Sequence, residues 1–323
     1  MHKQLIIIGA GPTGLTCGIE AHKAGLDYVI IEKGFLVNSI YNFPTNMTFF
    51  STSKLMEIGE TPFIAHNDKA TRREALEYYR RIADSWKLNI HFNERVQQNG
   101  LSKKGDAYQL QTEKETYTCD YLIVATGFYD HYNPLNVPGE HLTKVKHYYD
   151  DAHKYIGQKI VIVGAANSAC DVALETYQKG ADVSMVIRQA KIYEKVKYWI
   201  KPNIENRIKE GSIKAYFESE IVAITEDHVE IQTPEGKKVL ENDYVLAMTG
   251  YRPDFEFLSS LGIKLEGDQL EPQHDEASLE CNLKNVYLAG VILSGKNTSK
   301  LFIENTRHHG AMIIKDILNK INA

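Results

Sequence analysis

The chain has no two cysteines close enough in sequence to act together. Its four, Cys17, Cys119, Cys170 and Cys281, are scattered and form no CxxC. That excludes a zinc ribbon and a local redox dithiol, and no disulfide framework is expected in a chain of this size. Nor is there an excess of basic charge. The 37 Lys and Arg against 42 Asp and Glu give a formal charge of −5, without the clustered, uncompensated cations that binding to a nucleic-acid backbone requires. No apolar run is long enough to span a bilayer. The one near the N-terminus is also too short for a secretory segment and has no cleavage-like pair of small residues after it. His147, His153, His308 and His309 have no second His, Cys or acid at a ligand interval, so packing at a surface or interface is expected of them, and no metal. The expectation is a cytoplasmic protein with neither nucleic acid nor membrane as partner.

What is present begins with residues 5–25, LIIIGAGPTGLTCGIEAHKAG. Apolar residues run into Gly9, Gly11 and Gly14, and a helix rich in small residues follows. This reads as a buried parallel strand, a tight turn and a helix opening on a phosphate. Gly9 allows the turn, Gly11 lets backbone approach a pyrophosphate, and Gly14 lets helix and strand pack closely. The next strand, residues 28–31, ends in Glu32, 18 residues beyond Gly14, where an acid binding a ribose is expected.

A second fingerprint lies at residues 159–169, KIVIVGAANSA. Gly164 keeps the first glycine, whereas Ala166 and Ala169 stand at the other two positions. The strand at residues 183–187 then ends in Arg188, which can pair with a 2′-phosphate where an acid would bind the 2′-OH, so this site should prefer NADPH over NADH. Lys191 and Lys195 are near enough in sequence to assist. The two fingerprints start 155 residues apart, too far for one Rossmann unit, so two dinucleotide sites are implied.

Between the anchors, residues 33–60 are aromatic and polar without a period, and should cover a ligand. Residues 71–87 have helical spacing at Leu76, Tyr79, Ile82 and Ala83. Residues 88–96, 108–112 and 116–124 read as strands, the last running into the small-residue turn Ala125-Thr126-Gly127. YVLAMTG at 244–250 mirrors YLIVATG at 121–127, residues 285–290 form one more buried strand, and residues 298–322 read as a last amphipathic helix.

Taken together, these features resemble the flavoproteins with two dinucleotide domains, of the thioredoxin-reductase kind. The resemblance implies an α/β fold of two Rossmann-like, three-layer domains: a discontinuous FAD domain, 1–118 and 248–323, with an NADPH domain, 119–247, inserted. In that family a redox dithiol sits just ahead of the second fingerprint. The corresponding VKHYYDDAHKY, 145–155, has no cysteine, which excludes ordinary thioredoxin reductase chemistry.

More narrowly, SIYNFPTNMTFFSTS (39–53), IGETPF (58–63), ATGFYD (125–130), NPLNVPGE (133–140), AGVI (289–292) and FIENTRHHG (302–310) look like the bacillithiol disulfide reductases. This resemblance implies FAD bound through Gly9, Gly11, Pro12, Thr13, Gly14, Glu32 and Lys33. It also implies contacts near Tyr41, Phe50, Val96, Thr126, Gly127 and Gly290, with the ring edge near Ile303. NADPH is implied at Gly164, Ala166, Asn167, Ser168, Arg188 and Lys191, and a homodimer as the assembly.

One position departs from the group. Where those proteins commonly carry a cysteine proposed to handle the substrate disulfide, this chain has Thr13, and a hydroxyl cannot undertake thiol–disulfide exchange. Cys17 is one helical turn further on and is the only nearby substitute, although a small core residue is the plainer reading of it. The resemblance nevertheless implies a low-molecular-weight disulfide, bacillithiol disulfide or a similar one, as the electron acceptor. The alternative is a small carrier such as ferredoxin or flavodoxin, docking on Arg72, Arg73, Arg80 and Arg81. A flavin monooxygenase is a poor match, because His141 and Thr143 stand where that family has an aromatic residue and a glycine. A redox-sensing protein without turnover is the option from another class.

Overall fold

The computed structural model describes residues 1–323. The chain forms two compact units, Met1–His131 with Tyr251–Ala323, and Tyr132–Gly250.

The first unit opens with β1 (His2–Ile8), α1 (Pro12–Lys23) and β2 (Tyr28–Ile31). Leu5 to Ile8 and all of β2 are buried, as uninterrupted apolar runs must be in a parallel sheet covered on both faces. After α2 (Asn38–Tyr41) comes α3 (Arg72–Ser85), held at its start by a capping box between Thr71 and Glu74. Its buried face is Ala75, Tyr78, Tyr79 and Ile82. Leu76 and Ala83, expected in the core, are only half-buried. Phe63 stacking on Tyr78 at 4.2 Å turns the helix onto that face.

Beyond α3 lie β3 (Ile90–His91), β4 (Val96–Lys104), β5 (Ala107–Thr112) and β6 (Thr116–Val124). The strand expected over 88–96 shrinks to two residues. The sheet order β3-β2-β1-β6-β5-β4 puts β3 and β4 at opposite edges, so the chain must leave β3 at once, through Asn93 at φ 52°. β6 pairs in parallel with β1 from His2↔Thr118 to Ile8↔Val124. It therefore belongs to the first unit, and the unit boundary falls at 131/132, after the expected 118/119; the return falls at 250/251, after 247/248.

The second unit is a parallel sheet plus a meander. β7 (Val145–Lys146), β8 (Lys159–Val163), α4 (Asn167–Gln178), β9 (Asp182–Val186), α5 (Lys201–Lys209) and β10 (Lys214–Tyr216) come first. The antiparallel β11 (Glu220–Ile224), β12 (His228–Thr233) and β13 (Gly236–Glu241) precede β14 (Tyr244–Ala247). The parallel order is β10-β9-β8-β14-β7. The mirrored heptapeptides thus play one role twice: β6 lies beside the fingerprint strand β1, and β14 beside the fingerprint strand β8.

The chain returns to the first unit through α6 (Phe255–Ser260), capped by Asp254, and β15 (Val286–Leu288), which joins the distal half of β6 in parallel. The single last helix expected over 298–322 is two: α7 (Ile303–Thr306) and α8 (His309–Ile321). The break has local causes. Thr306 bonds back to the Phe302 carbonyl at 2.8 Å, a contact that bends helices, and Arg307 is drawn to the carbonyls of Lys54 and Glu57 at 3.1 and 3.2 Å. α8 packs on α1 so closely that a Cβ on Gly310 would lie 2.7 Å from the Thr16 backbone. No helix is long and apolar enough to cross a membrane.

Candidate functional site

In the first unit the turn between β1 and α1 is set by backbone contact. Gly9 has φ +107°, and a Cβ there would sit 2.5 Å from the Ala125 carbonyl oxygen; one on Gly14 would sit 1.9 Å from the Gly9 carbonyl oxygen. Neither position tolerates a methyl group. Gly11 is different: a Cβ on it would meet nothing within 4 Å. Its hydrogen faces open space at the head of α1, where no side chain caps the helix, so the first-turn N–H groups and the positive dipole end are available to an anion. Close by in the fold, after β6, the Thr126 Oγ1 is buried without a hydrogen-bond partner. An open cradle and an orphaned hydroxyl are what a dinucleotide site requires, so the residues present fit such a group.

Glu32 does more than expected. Its Oε2 accepts the Ala10 N–H and its Oε1 the Gly34 N–H, each at 2.8 Å, so it braces the glycine turn from below. Burial pushes its pKa above the usual carboxylate range, against the pull of those two N–H groups. A carboxylate offers about four lone-pair sites, which leaves room for a ribose hydroxyl as well. Sequence reading missed Val37, a buried β-branched residue at φ 46° that donates its N–H to the Ala10 carbonyl at 3.0 Å. Nothing in its neighbours' identity announces that conformation.

The other implied contacts divide. Gly127 and Gly290 both have positive φ, and a Cβ on Gly290 would lie 3.3 Å from the Thr13 Oγ1. That brings the first turn of α1 and the turn after β15 together. Tyr41 and Phe50 are exposed aromatics, each with a cation over its ring, Arg72 and Lys69 respectively. Ile303 is half-buried at the start of α7. Val96 has its side chain buried at the start of β4. Lys33 is engaged by Asp130 at 2.6 Å, so its ammonium is not a free ligand.

Cys17 is not a substitute thiol. It is fully buried, and burial pushes its pKa up to about 12, so it forms no thiolate near neutrality. Cys119 and Cys170, also pushed up to about 12, and Cys281, up to about 11, are buried too. His309, expected at a surface or interface, is instead a core residue 8% exposed. Of the four arginines expected to dock an acidic carrier, Arg80 bonds Glu77 and Asp84, Arg81 bonds Glu77, and Arg72 bonds the Ile40 and Tyr41 carbonyls. Only Arg73 keeps an unengaged guanidinium.

The second unit repeats the turn with looser tolerances. Gly164 has φ +123°, and a Cβ there would lie 2.7 Å from the Met248 carbonyl oxygen, so the residue after β14 does here what Ala125 does in the first unit. The methyl groups that replace two fingerprint glycines are accommodated: Ala166 is exposed at the uncapped start of α4, and Ala169 is buried beneath Gly164. Ser168 is exposed in the first turn of α4. The Asn167 side chain is committed, its Oδ1 accepting the Lys197 N–H at 2.8 Å. Lys191 is paired with Glu194. Arg188 is exposed at the end of β9 with no ion-pair partner, as a group reserved for a ligand phosphate would be.

A family model described as pyridine nucleotide-disulphide oxidoreductase matches residues 6–290. The chain is 40% identical over 323 residues, 100% of its own length and 99% of the relative's, to the bacilliredoxin reductase Bdr of Bacillus subtilis. The solved bacillithiol disulfide reductase Bdr (YpdA) of Staphylococcus aureus superposes with a TM-score of 0.96 at 40% identity, covering 99% of both chains. Thioredoxin reductase of T. acidophilum superposes at 0.77 with 18% identity over 100% of this chain and 99% of that one, which speaks for the fold alone. Glycine turns, orphaned hydroxyl and full-length similarity agree: the chain belongs to the pyridine nucleotide-disulphide oxidoreductases, flavin- and pyridine-nucleotide-dependent enzymes, and within them to the bacillithiol disulfide reductase group.

Proposed function

We propose that the protein reduces a low-molecular-weight disulfide, bacillithiol disulfide first among them, at the expense of NADPH and by way of FAD. In balance, NADPH and a proton convert one disulfide to two thiols and leave NADP⁺. The observation that carries this reading is the 40% identity to the bacillithiol disulfide reductase of Staphylococcus aureus, held over 99% of both chains. FAD is assigned to the first unit and NADPH to the second.

When bound, the flavin supplies the two-electron chemistry between nicotinamide and acceptor. The chain's own part is to bind and orient. Gly11 admits the pyrophosphate of the first dinucleotide to the N–H groups of Thr13 and Gly14, and Glu32 takes a ribose hydroxyl while holding the Ala10 turn. Thr126 offers its hydroxyl to the same ligand. In the second unit the start of α4 receives the other pyrophosphate, and Arg188 pairs with the 2′-phosphate. No thiol of this chain takes part, since all four are buried and protonated, so the substrate disulfide is reduced without a mixed disulfide to the protein. A cytoplasmic homodimer is the working form we infer; four buried free cysteines suit a reducing compartment.

A second reading, electron delivery to ferredoxin or flavodoxin, is favoured by the absence of an accessible thiol and opposed by the ion-paired arginines of α3. NADPH consumption by the FAD-loaded protein, with the oxygen-driven background subtracted, separates them. Fast, saturable turnover with bacillithiol disulfide is expected. Turnover only with a carrier would replace the disulfide reading, and turnover with neither would make the protein a redox-sensing flavoprotein.

A further inference from the structure

The Thr13 hydroxyl lies 2.9 Å from the Thr306 hydroxyl, although 293 positions separate them. The direction of this bond follows from what else each group does. A threonine has one hydroxyl hydrogen, and that of Thr306 goes to the Phe302 carbonyl at 2.8 Å. Thr13 must therefore donate to Thr306, and its oxygen is left as an acceptor only. The pair is fixed on every side: the Thr13 carbonyl accepts the Thr16 hydroxyl at 2.7 Å, Thr306 is 2% exposed, and Asn305 accepts the Phe302 N–H at 2.7 Å. Gly290, hydrogen-bonded to His309 at 3.1 Å, closes the cluster against the Thr13 side chain.

We propose that Thr13 and Thr306 form a positioning pair for the flavin. Their hydrogen bond holds α7 against the first turn of α1 and commits the Thr13 hydroxyl hydrogen to Thr306, so a flavin held beside it would meet an acceptor and no donor. The residue where the group's cysteine commonly stands thus keeps a role, as half of a clamp that presents an acceptor and no donor. This inference rests on the reading of the first unit as the flavin domain.

The two halves of the clamp fail differently, which makes the proposal testable. Thr306→Val frees the Thr13 hydrogen, which a flavin held beside it would then meet as a donor; a donor there favours the electron-rich reduced state, so the flavin midpoint potential rises. Thr13→Val removes the hydroxyl and produces no such rise. Both variants loosen α7, so FAD dissociates about three- to tenfold faster than from the parent, the worth of one hydrogen bond. The double variant loses FAD no faster than the worse single one, because the bond can be broken only once. Thr13→Ser restores the parent off-rate and potential.

The measurements are FAD release from the holoprotein, followed by flavin fluorescence, and a redox titration against a reference dye. Neither depends on the electron acceptor. If the parent binds FAD and all four variants share its off-rate and potential, the positioning pair is overturned while the flavin reading stands. If the potential of Thr306→Val does not rise above that of Thr13→Val, the Thr13 hydrogen is not withheld as argued and the proposal also fails. A parent protein that retains no FAD would overturn both.

Discussion

The backbone N–H of Gly290 donates to Nδ1 of His309 at 3.1 Å, so the histidine sits as the neutral tautomer with its proton on Nε2. Burial holds it there, pushing its pKa from 6.5 down to about 4, with His274 and His308 nearby adding to the effect. The sign of the consequence is fixed. An unfolded chain takes up a proton on this ring near pH 6.5, whereas the folded one does so only near pH 4. The stabilisation is therefore complete above pH 6.5 and is lost as the pH falls toward 4, amounting to ~3 kcal/mol. His309→Gln, whose amide oxygen can still accept from Gly290, should flatten the acid side of a plot of urea midpoint against pH. An unaltered slope would assign the acid sensitivity to other groups.

The glycines of the first fingerprint separate folding from binding. A Cβ on Gly14 would press 1.9 Å from a backbone oxygen that cannot yield, so Gly14→Ala should cost ~3 kcal/mol or more. Gly11 has φ −72° and empty space where a methyl would go. Gly11→Ala should cost under about 1 kcal/mol of stability, yet place a methyl group where the pyrophosphate approaches. The expected result is a protein that melts near the parent temperature without cofactor and retains FAD at least tenfold more weakly. Equal FAD retention by Gly11→Ala would mean that the dinucleotide does not cross this turn.

The two fingerprints were legible because each is a contiguous run in which strand, turn and helix follow within about a dozen residues, and their glycine pattern answers to local backbone geometry. The mirrored segments after β6 and β14 were legible for the same reason, as each lies directly beside a fingerprint strand. What escaped was long-range. Nothing near Thr306 says that it meets Thr13, and nothing near His309 says that Gly290 will bury it. The last helix was read as continuous because its apolar spacing continues through Arg307, whose side chain is turned aside by carbonyls about 250 residues away. Of the α3 face, Tyr79 and Ile82 were read and Ala75 and Tyr78 were missed, because the aromatic partner of Tyr78, Phe63, lies outside the helix. Val37 shows a further limit, since its left-handed backbone is imposed by the Ala10 carbonyl and not by its own preference.

The buried cysteines make a direct prediction about thiol chemistry. Under native conditions a thiol reagent such as iodoacetamide should label none of Cys17, Cys119, Cys170 and Cys281 rapidly, and all four after denaturation, as read by intact mass. Cys17→Ala should leave turnover within about twofold of the parent, at a stability cost of roughly 1 kcal/mol for a small buried group. A large loss of turnover with unchanged folding would return Cys17 to the chemistry. It would also require an opening of the core that buries it.

We propose that Arg188 decides which nicotinamide dinucleotide is used. It stands exposed at the end of β9 without an ion-pair partner, whereas Lys191 is held by Glu194. A guanidinium facing a 2′-phosphate makes charge-assisted hydrogen bonds worth about 1.5–3 kcal/mol. Arg188→Ala should therefore raise the KM for NADPH by roughly 10- to 100-fold and leave that for NADH unchanged, because NADH has no phosphate to lose. Lys191→Ala should change either value by less than about threefold, since an exposed, already paired ammonium contributes little. Steady-state rates with both dinucleotides, at constant ionic strength, measure the ratio. Should Arg188→Ala weaken NADPH and NADH equally, the arginine would be supporting the β9–α5 segment rather than reading the phosphate. Should Lys191→Ala carry the larger effect, the lysine must exchange Glu194 for the ligand on binding, and the specificity would belong to a rearranged loop.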